Sequence, residues 1–345
     1  MAGKTMRAVQ YHGYGGGAGR LKVIHCNHAV LLSCNQTEHA EVPIPSPKKD
    51  EVLLKLEAAS INPIDWKIQK GMLRPFMPPK FPFIPVHDVA GEVLEVGPGV
   101  NSFKAGDKVV SMLGMKNGGG LAEYAVASVG LTVTRPPEVS LAQCVGLPTA
   151  AITALQALMI AGVKMEGASD EPANILITAA SGGVGLYAVQ LAKLAGHHVT
   201  ATCGARNMDL VKSLGADEVL DYSSAEGLSL KSPSGRKYDS VVHCATGISW
   251  STFQPNLASD GKVIDMNPSA RVVLTYVMLK VMRSRKRLEI LSVAPTEEEL
   301  KFVVGLVKEG KLKTVVDSRH PLEKAEAAWA KSMDGHATGK IIVEM

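Results

Sequence analysis

The chain has 345 residues, 46% of them hydrophobic and 20% charged, with a formal net charge of +4. That length accommodates two domains, and the mild charge, with no block of interleaved basic and aromatic residues, excludes a dedicated nucleic-acid binder. The five cysteines (Cys26, Cys34, Cys144, Cys203 and Cys244) are odd in number, scattered and without a C-x-x-C pair. They predict free thiols in a reducing compartment, not a disulfide framework.

In chain order, the first part reads as strands. Residues 6–11 alternate, 51–60 form a second run, and 89–96 alternate up to the turn Gly97-Pro98-Gly99. Residues 103–111 read as a turn and a strand, and 118–127 as a glycine loop and a strand. Residues 23–37 carry His25, Cys26, His28 and Cys34, whose spacings match no standard zinc pattern. The triplet Asn35-Gln36-Thr37 matches a glycosylation acceptor, but no secretory signal precedes it. Residues 140–163 contain no charge and are long enough for a membrane span. Pro148, Thr149, Thr153 and Gln156 interrupt the run, and a buried helix joining two domains is the reading adopted.

Residues 174–202 are the most informative. A continuous apolar strand over 174–178 leads into Ser181-Gly182-Gly183-Val184-Gly185. A helix then runs to about Ala195, stops at Gly196, and a second strand follows over 199–202. Glycines between a strand and a helix N-terminus bring unpaired N–H groups and the positive end of the helix dipole to a pyrophosphate. Ser181, Gly182, Gly183, Val184 and Gly185 are therefore predicted to bind a dinucleotide, in a variant of the G-x-G-x-x-G turn. After the second strand no acid appears before Asp209, while Arg206 is placed to pair with a 2′-phosphate, so NADPH is the expected cofactor. Tyr222, ending the run 219–222, is a candidate cover for the adenine, and Cys244 joins the cofactor-binding candidates. Strands alternate with helices from 174 to 268, the signature of a parallel sheet. The tail reads as helix 297–308, strand 314–316, helix 322–333 and strand 340–344.

The motifs at 60–67 (Ser-Ile-Asn-Pro-Ile-Asp-Trp-Lys), 85–93, 97–100, 103–109, 180–185, 214–217 and 334–343 together resemble the zinc-free quinone oxidoreductase branch of the medium-chain dehydrogenase/reductase superfamily. Within it the chain is similar to plant chloroplast-envelope quinone oxidoreductase homologues. The resemblance implies an α/β protein. A GroES-like β-barrel catalytic domain would take residues 1–140 and 295–345. A Rossmann doubly wound parallel-sheet domain would take 141–294, with nicotinamide and substrate held in the cleft between the two. It also makes the fifteen residues 23–37 an insertion without a catalytic role.

Zinc members of the superfamily hold a catalytic metal through Cys, a His-Glu pair and a second Cys. Here those places read Asn62, His87-Asp88 and a Cys144 displaced by one residue, and no structural four-cysteine lobe is present, so no metal is expected. The implied reaction is hydride transfer to the activated C=C bond of an α,β-unsaturated carbonyl, with long-chain lipid-derived enones as one substrate class. Quinone reduction on the same scaffold and a non-catalytic NADPH-binding protein are the alternatives. Asn62, Asp65 and Lys67 are the catalytic candidates. Lys67 would stabilise an enolate, Asn62 would bond ribose or carbonyl, and Asp65 would orient Lys67. The competing reading of Asn-Pro-x-Asp is a helix cap.

The partner is a small molecule, and the oligomeric state is left as monomer or homodimer. Residues 1–20 lack a transit-like amphipathic run, and the resemblance implies a peripheral protein of the plastid inner envelope, or a stromal one, with a cytoplasmic location as the alternative. Lys280, Arg283, Arg285, Lys286 and Arg287, beside the apolar run 272–279, predict reversible contact with an anionic membrane.

Overall fold

A computed structural model describes residues 4–17, 37–75, 77–78, 80–165 and 172–345. Residues 23–36, including the His and Cys residues of the expected insertion, lie outside the described residues. The chain divides into two compact units, Met1–Thr149 with Pro295–Met345, and Ala150–Ala294.

The first unit is built on strands β1 (Thr5–Tyr11), β2 (Thr37–Pro43), β3 (Glu51–Ile61), β4 (Asp88–Val96), β5 (Lys108–Met112), β6 (Tyr124–Ser128) and β7 (Thr132–Thr134). β1 and β2 form an antiparallel pair. β3 is the organising element: β4 pairs along most of its length, β6 with residues 51–55 and the C-terminal strand with residues 58–61. The β3–β4 register shifts between Leu56 and Ala58, and beside that shift the two backbones lie close together. A Cβ on Gly91 would lie 2.1 Å from the Lys55 carbonyl oxygen, a contact only glycine permits. The core of this unit gathers Val52, Leu54, Val89, Val93, Val109 and the fully buried Trp329. The Trp329 indole donates to Gln69 Oε1 at 3.0 Å, tying helix Ala325–Asp334 to helix Pro63–Gln69. Burying the indole with its N–H satisfied is what makes so large a core residue stable.

The second unit carries β8 (Asn174–Thr178), β9 (His198–Cys203), β10 (Glu218–Asp221), β11 (Tyr238–His243), β12 (Leu257–Asp265) and β13 (Arg287–Ile290). Their spatial order is β10-β9-β8-β11-β12-β13, all parallel. This is the 3-2-1-4-5-6 order of a doubly wound dinucleotide fold, with its switch point between β8 and β11. Parallel strands covered on both faces need apolar side chains in succession, and Ile175, Leu176 and Ile177 are all fully buried.

The chain then returns to the first unit. Helix Glu297–Lys308 opens on a capping box, Thr296 accepting from Glu299 N–H and Glu299 from Thr296 N–H. β14 (Val316–Pro321) and β15 (Lys340–Glu344) complete the seven-stranded sheet.

Several boundaries differ from the sequence expectation. The strand expected at 314–316 lies at Val316–Pro321, because Thr314 is engaged elsewhere: its N–H donates to Gln143 Oε1 and its hydroxyl to the Gln143 carbonyl. The tail helix begins as a 3-10 turn, Leu322–Lys324. The uncharged stretch 140–163 breaks before Pro148 into helices Leu141–Val145 and Pro148–Ala161. No helix among the described residues is long and apolar enough to cross a membrane.

Candidate functional site

In the second unit the predicted cofactor residues come together at the carboxyl edge of the sheet. The chain leaves β8, passes through Ala179 at φ 51° and enters helix Gly183–Leu194 with Gly182 as its N-cap. Gly183, Val184 and Gly185 thus form the first helical turn instead of a loop, and their N–H groups are those a helix leaves without an intrahelical acceptor. Ala180 N–H donates to the Thr202 carbonyl at 2.8 Å and Gly182 N–H to the Ala179 carbonyl at 3.0 Å, which pins the turn to β9. Among the described residues a Cβ on Gly182 would meet only the Ala179 oxygen, at 3.2 Å, which leaves room beside this N-cap residue of the helix. Ser181 Oγ accepts from Asn207 Nδ2 at 3.1 Å. An open, donor-rich helix N-terminus of this kind fits the pyrophosphate of a dinucleotide.

Arg206 sits exposed in the 3-10 turn Ala205–Asn207, directly after β9. Tyr222 follows β10, is 51% exposed, and its hydroxyl would lie 3.3 Å from a Cβ on Gly204. Asp221 occupies the same edge, paired in register with Cys203. Its carboxylate accepts from Ser223 N–H (3.0 Å) and Ser223 Oγ (2.7 Å), bonds that hold it below the ordinary carboxylate range. Cys244 follows β11 with its thiol pushed up to about 12 by burial, so it is present as an inert thiol. Its N–H, like that of Ala245, donates to Thr178 Oγ1. Thr178 Oγ1 also contacts buried His243 Nδ1 at 2.9 Å. Sequence reasoning missed Thr178, His243 and Asp221. Their common signal is a polar residue closing the apolar run of a parallel strand.

In the first unit, Asn62 is the N-cap and Pro63 the first residue of helix Pro63–Gln69, and Asp65 Oδ2 accepts from Asn62 N–H at 2.7 Å. The capping reading of Asn-Pro-x-Asp is therefore realised. Asp65 Oδ1 lies 2.7 Å from His87 Nδ1. The carboxylate expected to orient Lys67 is instead shared between the helix cap and His87. Asn62 Nδ2 donates to Asp88 Oδ2 (2.8 Å) and to the Ser60 carbonyl (3.2 Å), while its Oδ1 accepts from Lys340 Nζ at 2.5 Å. A carboxamide has two N–H donors, and both are used here. Asn62 thus has no donor left for a substrate carbonyl, which corrects that half of its expected role; it retains acceptor capacity for a hydroxyl. Lys67 is half-buried, near the Trp66 ring at 5.8 Å, and burial pulls its amine below the usual lysine value. Asp88, Lys340 and the half-buried Thr149 belong to the same cluster, and the sequence assigned none of them a role in the site.

This cluster does not fit a catalytic zinc. His87 is buried, with Nδ1 against the Asp65 carboxylate and Nε2 3.3 Å from the Met115 carbonyl. Both partners are acceptors, so both ring nitrogens are set to donate and no lone pair is left for a metal. Burial lowers His87, but the hydrogen bond and charge of Asp65 outweigh it, and the imidazole stands above its ordinary value. Burial pushes the Cys144 thiol up to about 12. Among the described residues no group of three or more His, Cys, Asp or Glu is arranged to hold a metal.

Comparison with known proteins identifies the family and the fold. Residues 48–137 match the alcohol dehydrogenase GroES-like domain and residues 214–343 the zinc-binding dehydrogenase family. The chain is 62% identical to a chloroplast envelope quinone oxidoreductase homologue of Arabidopsis thaliana, over the whole of both proteins. It is 32% identical to a chloroplastic NADPH-dependent alkenal/one oxidoreductase of the same plant, over 88% of this chain and 74% of that one. The quinone oxidoreductase of Coxiella burnetii superposes with a TM-score of 0.84 at 29% identity, over 99% of this chain and all of the other. The chain is an oxidoreductase of the medium-chain dehydrogenase/reductase superfamily, using a nicotinamide dinucleotide, and belongs to the chloroplast envelope quinone oxidoreductase homologues.

Proposed function

We propose that the protein is an NADPH-dependent reductase of the activated C=C bond in α,β-unsaturated carbonyls. The observation that supports metal-free chemistry is the commitment of both His87 nitrogens to acceptors, which leaves this histidine no lone pair for a Lewis-acid metal. A conjugated alkene needs less activation. When bound, the cofactor supplies the hydride, which adds to the β-carbon. Lys67 is the cation assigned to the charge that develops on the carbonyl oxygen, and its partly desolvated amine strengthens that interaction. Asn62 accepts from a ribose or substrate hydroxyl. A proton from water or a side chain completes the α-carbon.

The 62% relatives favour a second reading, reduction of quinones. Following NADPH oxidation with a panel of enones, alkenals and quinones separates the two. Turnover of enones is the expected result. Turnover of quinones alone supports the second reading, and no oxidation with any acceptor leaves a cofactor-binding protein without catalysis.

We further propose reversible binding to anionic plastid membranes. Helix Ala270–Val281 packs Val272, Tyr276 and Leu279 inward. Its other face exposes Val273, Leu274, Val277, Met278, Val281 and, just beyond, Met282, with Leu274 and Met282 70% and Val281 77% exposed. These positions recur at helical spacing and form an apolar ridge. Among the flanking basic residues, Lys280 pairs with Glu289 and Arg285 with Asp260, whereas Lys286 donates to the Gln254 backbone carbonyl. Each basic residue near an anionic surface contributes about 1 kcal/mol, screened by salt. Sedimentation with anionic liposomes is expected to be strong at low salt and weak at high salt. Binding indifferent to salt, or absent at low salt, would count against it.

A further inference from the structure

The strand register itself assembles the buried cluster around Asn62. β15 pairs antiparallel with β3 through Ile341 and Ile61, which brings Lys340 across from Asn62. On the other side of β3, Asp88 pairs with Ser60. Lys340 at the start of β15, Asp88 at the start of β4 and Asn62 just beyond the end of β3 therefore meet, and all three are at most 3% exposed. Lys340 Nζ donates to Asn62 Oδ1 at 2.5 Å and lies 3.9 Å from Asp88 Oδ2, which itself accepts from Asn62 Nδ2. Asp88 is fixed from behind: Thr149 donates to its Oδ1 through Oγ1 (2.6 Å) and N–H (3.0 Å). A donor at one end of the carboxamide and an acceptor at the other allow a single orientation of Asn62, because flipping it would set like against like at both ends.

We propose that Lys340 is a positioning residue, which together with Asp88 locks the Asn62 carboxamide so that Asn62 meets bound ligands as an acceptor only. A lysine buried at the start of an apolar strand carries a large desolvation cost, and its contacts with Asn62 and Asp88 are what offset it. The consequence for activity rests on the reductase reading; the lock does not.

The test has two arms on the full-length protein. In the first, the side-chain amide resonances of Asn62 are identified by their loss in Asn62→Asp, and their hydrogen exchange is measured. Slow exchange is expected in the wild type, rising about 10- to 100-fold in Lys340→Met, the range set by loss of one charge-assisted hydrogen bond. Exchange unchanged by Lys340→Met overturns the proposal. If Lys340→Met does not fold, the charge-balanced Asp88→Asn/Lys340→Met variant takes its place with the same two outcomes. In the second arm, the kcat/KM of NADPH oxidation by Lys340→Met, or by that replacement, is expected to fall about 10-fold or more, and an unchanged value overturns the link to activity. A wild type that turns over no acceptor refutes the reductase reading, and the exchange arm still decides the role of Lys340.

Discussion

Gly185→Val is expected to unfold the glycine turn of the second unit and abolish cofactor binding. A Cβ at this position would lie 2.3 Å from the Ala179 oxygen, 2.7 Å from Ala180 Cα and 3.0 Å from the Ala179 carbonyl carbon, all backbone atoms. The turn cannot retreat, because Ala180 is bonded to Thr202 on β9 and Gly182 to Ala179 itself. Ala179 already holds a left-handed conformation that side chains seldom adopt. Overpacking against rigid backbone costs about 3 kcal/mol or more, the upper end of the usual range, and lowers the melting temperature by about 6–12 °C. Gly182→Ala is the matched control. Its φ of −82° suits alanine and its single contact is at 3.2 Å, so the fold should survive. Thermal unfolding together with NADPH titration of both variants makes the comparison. A Gly185→Val protein with wild-type melting and affinity would remove the close helix–strand approach from the account.

Local patterns made much of this architecture readable in advance. Strand 174–178 is an apolar run of the kind a sheet buried on both faces needs, and the helix after it ends at Leu194 with Ala195 as its C-cap and Gly196 at φ 82°. The cap at Asn62-Pro63 was equally visible, because it depends on residues three apart. The Asn62 lock was not. It depends on Lys340 and Asp88 arriving from strands 278 and 26 residues away in sequence, and register decides which residues face one another. β14 was misplaced for a related reason. Its sequence, Val-Asp-Ser-Arg-His-Pro, shows little apolar patterning, whereas the more strand-like Thr314 is tied to Gln143. The ridge on helix Ala270–Val281 read as a plain apolar run, since periodicity alone does not tell an inward face from an exposed one.

Arg206→Ala is expected to weaken NADPH binding by about 10- to 150-fold and to leave NADH nearly unchanged. Only NADPH carries the 2′-phosphate, and removing one charge-assisted contact costs about 1.5–3 kcal/mol. The position of Arg206 supports the assignment: it is exposed in the turn that directly follows β9, where the adenosine ribose of a dinucleotide lies in this fold. The competing preference, for NADH, would need an acid aimed at the ribose. β9 ends at Cys203 and is followed by Gly204, and Asp221 on the neighbouring strand is engaged by the N–H and hydroxyl of Ser223. Asp221→Asn should therefore leave the cofactor preference intact, which separates the charge of Arg206 from that of its neighbour. Fluorescence titration of both cofactors against wild type, Arg206→Ala and Asp221→Asn supplies the dissociation constants. An equal loss for NADPH and NADH in Arg206→Ala would mean that the guanidinium supports the fold of the turn, not the phosphate, and the assignment of NADPH would fall with it.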